Sequence, residues 1–98
     1  MRALVGLAIR SRNVALGREA CKRAARRREL YALLVATDAG VSAVRDSGGA
    51  GDVPLLDAGL DKRGLGALAG RDELSTLGIT DPQIASGLAQ HVRRLQEP

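Results

Sequence analysis

Large aromatic side chains are almost missing: Tyr31 stands alone, with no phenylalanine and no tryptophan in 98 residues. A core without large rings is filled by Leu, Val, Ile and Ala at close approach, which favours thin layers of helix and strand over a roomy ligand cavity. The shortage also removes the ring platforms on which single-stranded nucleic acid is commonly held. The single cysteine, Cys21, excludes an intramolecular disulfide framework, and with His91 as the one histidine it cannot complete a structural zinc site. No apolar run approaches the length of a membrane span, and no charged start leads into a long apolar stretch with a cleavage site. The expectation is a soluble, cytoplasmic protein with no membrane partner and no cofactor. At 45% hydrophobic and 27% charged residues the chain is globular in composition, and its length suits one domain over 1–98.

Charge is unevenly placed. Residues 1–31 hold nine basic residues against Glu19 and Glu29, a balance of +7, whereas residues 32–98 hold six basic against nine acidic, a balance of −3. A GC-rich genome explains why arginine replaces lysine, but not why the cations gather in the first third. A polyanion at one face does.

The pattern along the chain alternates helix and strand. Residues 3–9 are apolar nearly all round and read as a buried opening helix, ended by Arg10-Ser11-Arg12-Asn13. Val14-Ala15-Leu16 reads as a brief strand that meets a helix at Gly17. In that helix Ala20, Cys21, Ala24 and Ala25 share one face, and Arg18, Lys22, Arg23, Arg26 and Arg27 occupy the opposite side. The continuous apolar run Leu30–Val35 suits a central strand buried on both faces. Asp38 is placed to cap a helix over Val41–Asp46, and Ser47–Gly51 reads as a flexible loop. Val53–Leu56 is a strand near an edge because of Pro54, Asp61–Ala69 a short helix stopped by Gly70, and Leu77–Ile79 a last strand. Thr80-Asp81-Pro82 then opens a helix whose apolar stripe is Ile84, Ala85, Leu88, Ala89, Val92 and Leu95. This order implies an α/β fold: a single-domain, three-layer α/β/α sandwich around a small mixed sheet of about four strands.

Catalytic signatures are scarce. Gly48-Gly49-Ala50-Gly51 lacks the lysine of a phosphate-cradling loop, and the glycine-rich stretch Gly64–Ala69 does not follow the first strand of a dinucleotide unit. Cys21 among alanines reads as a small buried hydrophobe, His91 as a surface residue, and the aspartates as caps at element ends. The expectation is that the protein is not an enzyme. The remaining constellation is Gly17-Arg18-Glu19 with Lys22, because a helix start offers free N–H groups and partial positive charge to phosphate. Glu19 has two readings: a first-turn acid that suits the helix dipole, or an acceptor for base-edge N–H groups.

The blocks Leu4-Val5-Gly6-Leu7-Ala8, Val14–Glu19, Leu33–Ala39, Val53-Pro54, Leu65–Gly70 and Thr80-Asp81 stand in an order that resembles the kink-turn-binding ribosomal protein superfamily, and within it the small bacterial YlxQ-type proteins. The likeness runs from about Leu4 to Leu88. It implies an α/β/α sandwich in which an Asn-Glu pair and a following lysine, at the start of the second helix, read sheared G·A pairs in bent RNA. Glu19 stands at the glutamate position and Lys22 at the lysine position. Arg18 replaces the asparagine and Leu16 an earlier glycine, and Arg71-Asp72-Glu73-Leu74 replaces a small apolar loop. A guanidinium only donates, so phosphate attraction outlasts base reading in that exchange. The expected function is non-catalytic binding of structured RNA, ribosomal or otherwise tied to translation, through Gly17, Arg18, Glu19, Lys22, Arg23, Arg26 and Arg27, with Arg71 at the flank. The alternative is a protein–protein interaction module of the same fold, with partners in translation or ribosome assembly.

Overall fold

The apolar run after Leu30 forms the middle of the sheet. In a computed structural model that describes residues 2–49 and 51–95, the elements are α1 (Arg2–Arg10), β1 (Val14–Leu16), α2 (Gly17–Arg26), β2 (Ala32–Val35), α3 (Val41–Val44), β3 (Leu55–Asp57), α4 (Lys62–Leu68), β4 (Thr76–Ile79) and α5 (Pro82–His91). Strand order is β1-β4-β2-β3. β4 runs antiparallel to both β1 and β2, and β3 lies parallel to β2, so the sheet is mixed.

Alternation along the strands sends side chains to two separate cores. Leu34, Leu56, Leu77 and Ile79 face α1, α4 and α5, where Val5, Ala8, Leu65, Ile84, Ala85 and Leu88 meet them. Leu33, Val35 and Leu55 face the other way, against Cys21 and Ala24 of α2, with Val44 beside them. Helices thus cover both faces, giving the three-layer α/β/α architecture. The alanine stripe of α2 lets that helix sit close to the sheet, as expected of a core with no large rings.

Capping follows the sequence for the last two helices. Asp61 Oδ1 accepts from Gly64 N at 2.8 Å, and Asp81 Oδ1 accepts from Gln83 N at 2.8 Å and Ile84 N at 3.0 Å, with Pro82 in the first turn.

Four local expectations are corrected. The opening helix is only half buried: Val5 and Ala8 enter the core, but Leu7 is 45% exposed, because the sheet covers one side of α1 and leaves the other open. Asp38 does not cap α3, whose N-cap residue is Gly40 and which has no side-chain cap; Asp38 Oδ1 accepts from Lys62 N at 2.8 Å and ties the β2 exit to α4. The expected loop after α3 is in part ordered. A kinked turn over Arg45–Gly49, with Gly48 at φ +92°, buries Ser47, whose hydroxyl lies 2.7 Å from Ala43 O and 2.7 Å from the Thr76 hydroxyl. Two partners in the interior outweigh the local preference of Ser-Gly for loop. Ala50 of that stretch lies outside the described residues. Finally, α5 stops at His91, and Val92 is extended (φ −123°, ψ 138°). The chain then lies antiparallel to β3: Asp57 N donates to Arg93 O at 2.8 Å and Leu95 N to Leu55 O at 2.7 Å. Leu95 therefore packs into the α2-side core rather than onto the α5 stripe. The physical reason is the edge of β3, whose unpaired backbone groups are satisfied by this segment.

Candidate functional site

The turn from β1 into α2 is built by Gly17, at φ +86°, a conformation that glycine adopts without steric cost. Leu16 stands at the cap position and makes no side-chain capping bond. The first-turn N–H groups of α2 thus have no side-chain cap, in contrast to α4 and α5, whose aspartates close them. These groups and the helix dipole give the α2 start a net attraction for anions.

From that start two rows of charge run down the exposed side of α2. Arg18, Lys22 and Arg26 form one row at i, i+4, i+8, and Glu19, Arg23 and Arg27 form the other; all six residues are exposed. Members of a row rise about 6 Å each along the axis, close to the spacing of successive phosphates on one strand. The opposite side of the helix is sealed. Cys21 is fully buried, its thiol donates to Ala15 O at 3.3 Å, and burial pushes its pKa up, so it behaves as the inert core residue expected.

The loop before β4 comes to the same place. Gly66 of α4 lies directly beneath it: a β-carbon there would stand 2.6 Å from Glu73 Cα and 2.9 Å from Arg71 O. Arg71, Asp72 and Glu73 are exposed on this loop, while Leu74 is buried and its Cδ2 is 3.9 Å from where a β-carbon of Gly17 would be. The structure therefore brings the Gly17 turn, Arg18 and the end of the Arg71–Leu74 loop to one end of the sheet. Arg26 and Arg27 lie at the far end of α2, about 12 Å along the axis from Arg18. The candidate residues form a strip with an anchored end, not a pocket.

Sequence reasoning missed one member. Asp46, on the turn after α3, reaches across to Arg18, with Nη1 to Oδ2 at 3.4 Å; both side chains are about half exposed. Among the described residues it is the only ion pair within 4 Å, so the other cations of α2 are unpaired. Nothing in sequence links residues 28 apart. Leu74 is the one apolar residue of Arg71-Asp72-Glu73-Leu74, and that character is the sequence signal for an anchor.

The architecture and this site define a small α/β/α protein with a cationic helix face at one sheet end. The chain is similar to a structure from Bacillus halodurans described as a protein with unknown function, at 26% identity and a TM-score of 0.77, over 91% of this chain and 92% of that one. No protein-family model matches the chain, and no curated protein matches it. No helix among the described residues is long and apolar enough to cross a membrane.

Proposed function

We propose that the protein binds structured RNA, without catalysis, through the exposed face of α2. The observation that carries this reading is the row Arg18, Lys22 and Arg26 running from an uncapped helix start at Gly17, with Arg23 and Arg27 beside it. Cations at phosphate spacing on a rigid rod follow one strand of a folded RNA, the helix start fixes register, and Glu19 is the one carboxylate on this strip able to accept from a base edge. The likeness of Glu19 and Lys22 to the residues that kink-turn binders use supports the same reading. A ribosomal or other translation-associated RNA and a cytoplasmic setting belong to that likeness.

Binding of a labelled RNA stem-loop, followed by fluorescence anisotropy between 50 and 300 mM salt, tests the proposal. Three phosphate contacts predict a slope of log K against log salt of about −2 to −3. A flat dependence overturns it.

Asp46 sharpens the prediction. Its carboxylate holds Arg18 and repels phosphate, so Asp46→Asn is expected to tighten RNA binding by about two- to fivefold, the scale of one exposed ion pair. Unchanged or weaker binding in that variant places the phosphate path away from Arg18.

Asp46, Asp72 and Glu73 also support the second reading, a protein-interaction module, since three exposed carboxylates beside the α2 start suit a mixed-charge protein partner better than RNA. Absorbance separates the two. With Tyr31 as the only tyrosine and no tryptophan to absorb at 280 nm, co-purifying RNA raises the 260/280 nm ratio sharply, and nuclease treatment or high salt restores it.

A further inference from the structure

The last turn of α2 ends at a second feature that the RNA reading does not use. A groove of about 620 Å³ opens between the end of α2 and the chain entering β3, walled by Ala25, Leu30, Val53 and Pro54, with Arg28 and Tyr31 on its rim. Tyr31, the single large aromatic residue of the chain, is 40% exposed here instead of filling the core. Its backbone is fixed, because Tyr31 N, just before β2, donates to Ile79 O of β4 at 2.9 Å. Arg28 is held at φ +58° in the turn that closes α2, where Glu29 N donates to Ala24 O at 2.9 Å. That position ordinarily selects glycine. Here it carries a guanidinium to the groove, directly after Arg26 and Arg27.

We infer that this groove seats the base of one unpaired nucleotide, stacked on Tyr31, in the RNA whose backbone lies along α2; the inference rests on the RNA reading of that helix. Charge selects the occupant. Three consecutive arginines lead from the strip into the groove, so a phosphate backbone arriving at Arg26 continues to Arg28, and the base attached there meets apolar walls and a ring face. A flat heterocycle is apolar on its faces and polar at its edge, which matches walls of Ala25, Leu30, Val53 and Pro54 beneath a polar rim. Asp52, exposed on that rim, accepts hydrogen bonds and therefore favours bases with an exocyclic amino group.

Tyr31 is the only fluorophore of the chain, so its emission reports on this ring alone. The wild-type protein is titrated with an RNA stem carrying short adenosine tails at both ends, and with the same stem carrying abasic tails, after inner-filter correction. Adenosine tails are expected to quench Tyr31 and to bind about tenfold more tightly than abasic ones, the effect of one stacked base. Tyr31→Ala removes the advantage and Tyr31→Phe keeps it. A stem that binds with the expected salt slope but shows neither quenching nor a tail preference overturns the groove assignment and leaves the α2 reading intact. A stem that does not bind overturns both.

Discussion

Replacing Arg18, Lys22 and Arg26 together with glutamine is expected to weaken binding of a structured RNA on the order of 100-fold at moderate salt, and to flatten the salt slope by about 2 to 3. Each lost phosphate contact removes about 0.7 to 0.9 from that slope, and the three residues form one row along α2. The single variants are expected to be unequal. Lys22→Gln and Arg26→Gln cost more than Arg18→Gln, because Asp46 already holds Arg18 at 3.4 Å and part of its charge is spent within the protein. Stability is the control. All three side chains are exposed and glutamine has a helix propensity close to that of lysine and arginine, so unfolding free energy stays within about 0.5 kcal/mol of wild type. A variant that folds normally and binds with an unchanged slope removes this face from the proposed interface.

Gly66→Ala is expected to destabilise the protein by about 1 to 3 kcal/mol, the usual cost of forcing an extra carbon into a filled site. The sign is informative. Glycine inside a helix is about 1 kcal/mol worse than alanine, so a helix with open space at this position would gain from the exchange. Here the added carbon meets backbone: Glu73 Cα at 2.6 Å, Glu73 N at 2.8 Å and Arg71 O at 2.9 Å. No rotamer change relieves such contacts, so the loop must lift. Thermal unfolding reads the result, with roughly 4–8 °C lost per kcal/mol in a domain of this size. Lifting the loop also draws Leu74 from Gly17, so amide shifts in a nitrogen–proton spectrum are expected at Gly17 and Arg18, on a different element from the substitution. A rise in melting temperature would mean that the loop stands clear of α4.

Periodicity made most of the fold legible. The continuous apolar run through Leu33, Leu34 and Val35 announces a strand buried on both faces, and the positions of Asp61, Asp81 and Pro82 announce helix starts, because caps and first-turn prolines act through bonds to residues two or three away. The readings that failed depended on distant partners. Asp38 lies two residues before Gly40 in sequence, but its carboxylate serves Lys62 N across the sheet end. Ser47 sits in a glycine-rich stretch, and Thr76, 29 residues on, makes its burial tolerable. Leu95 fits the α5 stripe by spacing, but the backbone of β3 takes the segment out of the helix. The candidate strip followed the same division. The faces of α2 were set by its own spacing, whereas the neighbours of Arg18 were not.

By itself the sequence determined that the protein has no rings to spare and a basic first third, and that α2 divides into an alanine face and a cationic one. Helical geometry repeats every 3.6 residues whatever the surroundings, so such a division is settled locally. Tertiary structure alone decided which groups stand beside that cationic face. It put Asp46 against Arg18, set Leu74 beside Gly17, and left the one large aromatic residue, Tyr31, at the surface beside Arg28. Those placements depend on where the sheet order β1-β4-β2-β3 carries chain segments that are far apart in sequence, and no local pattern encodes a distance between them.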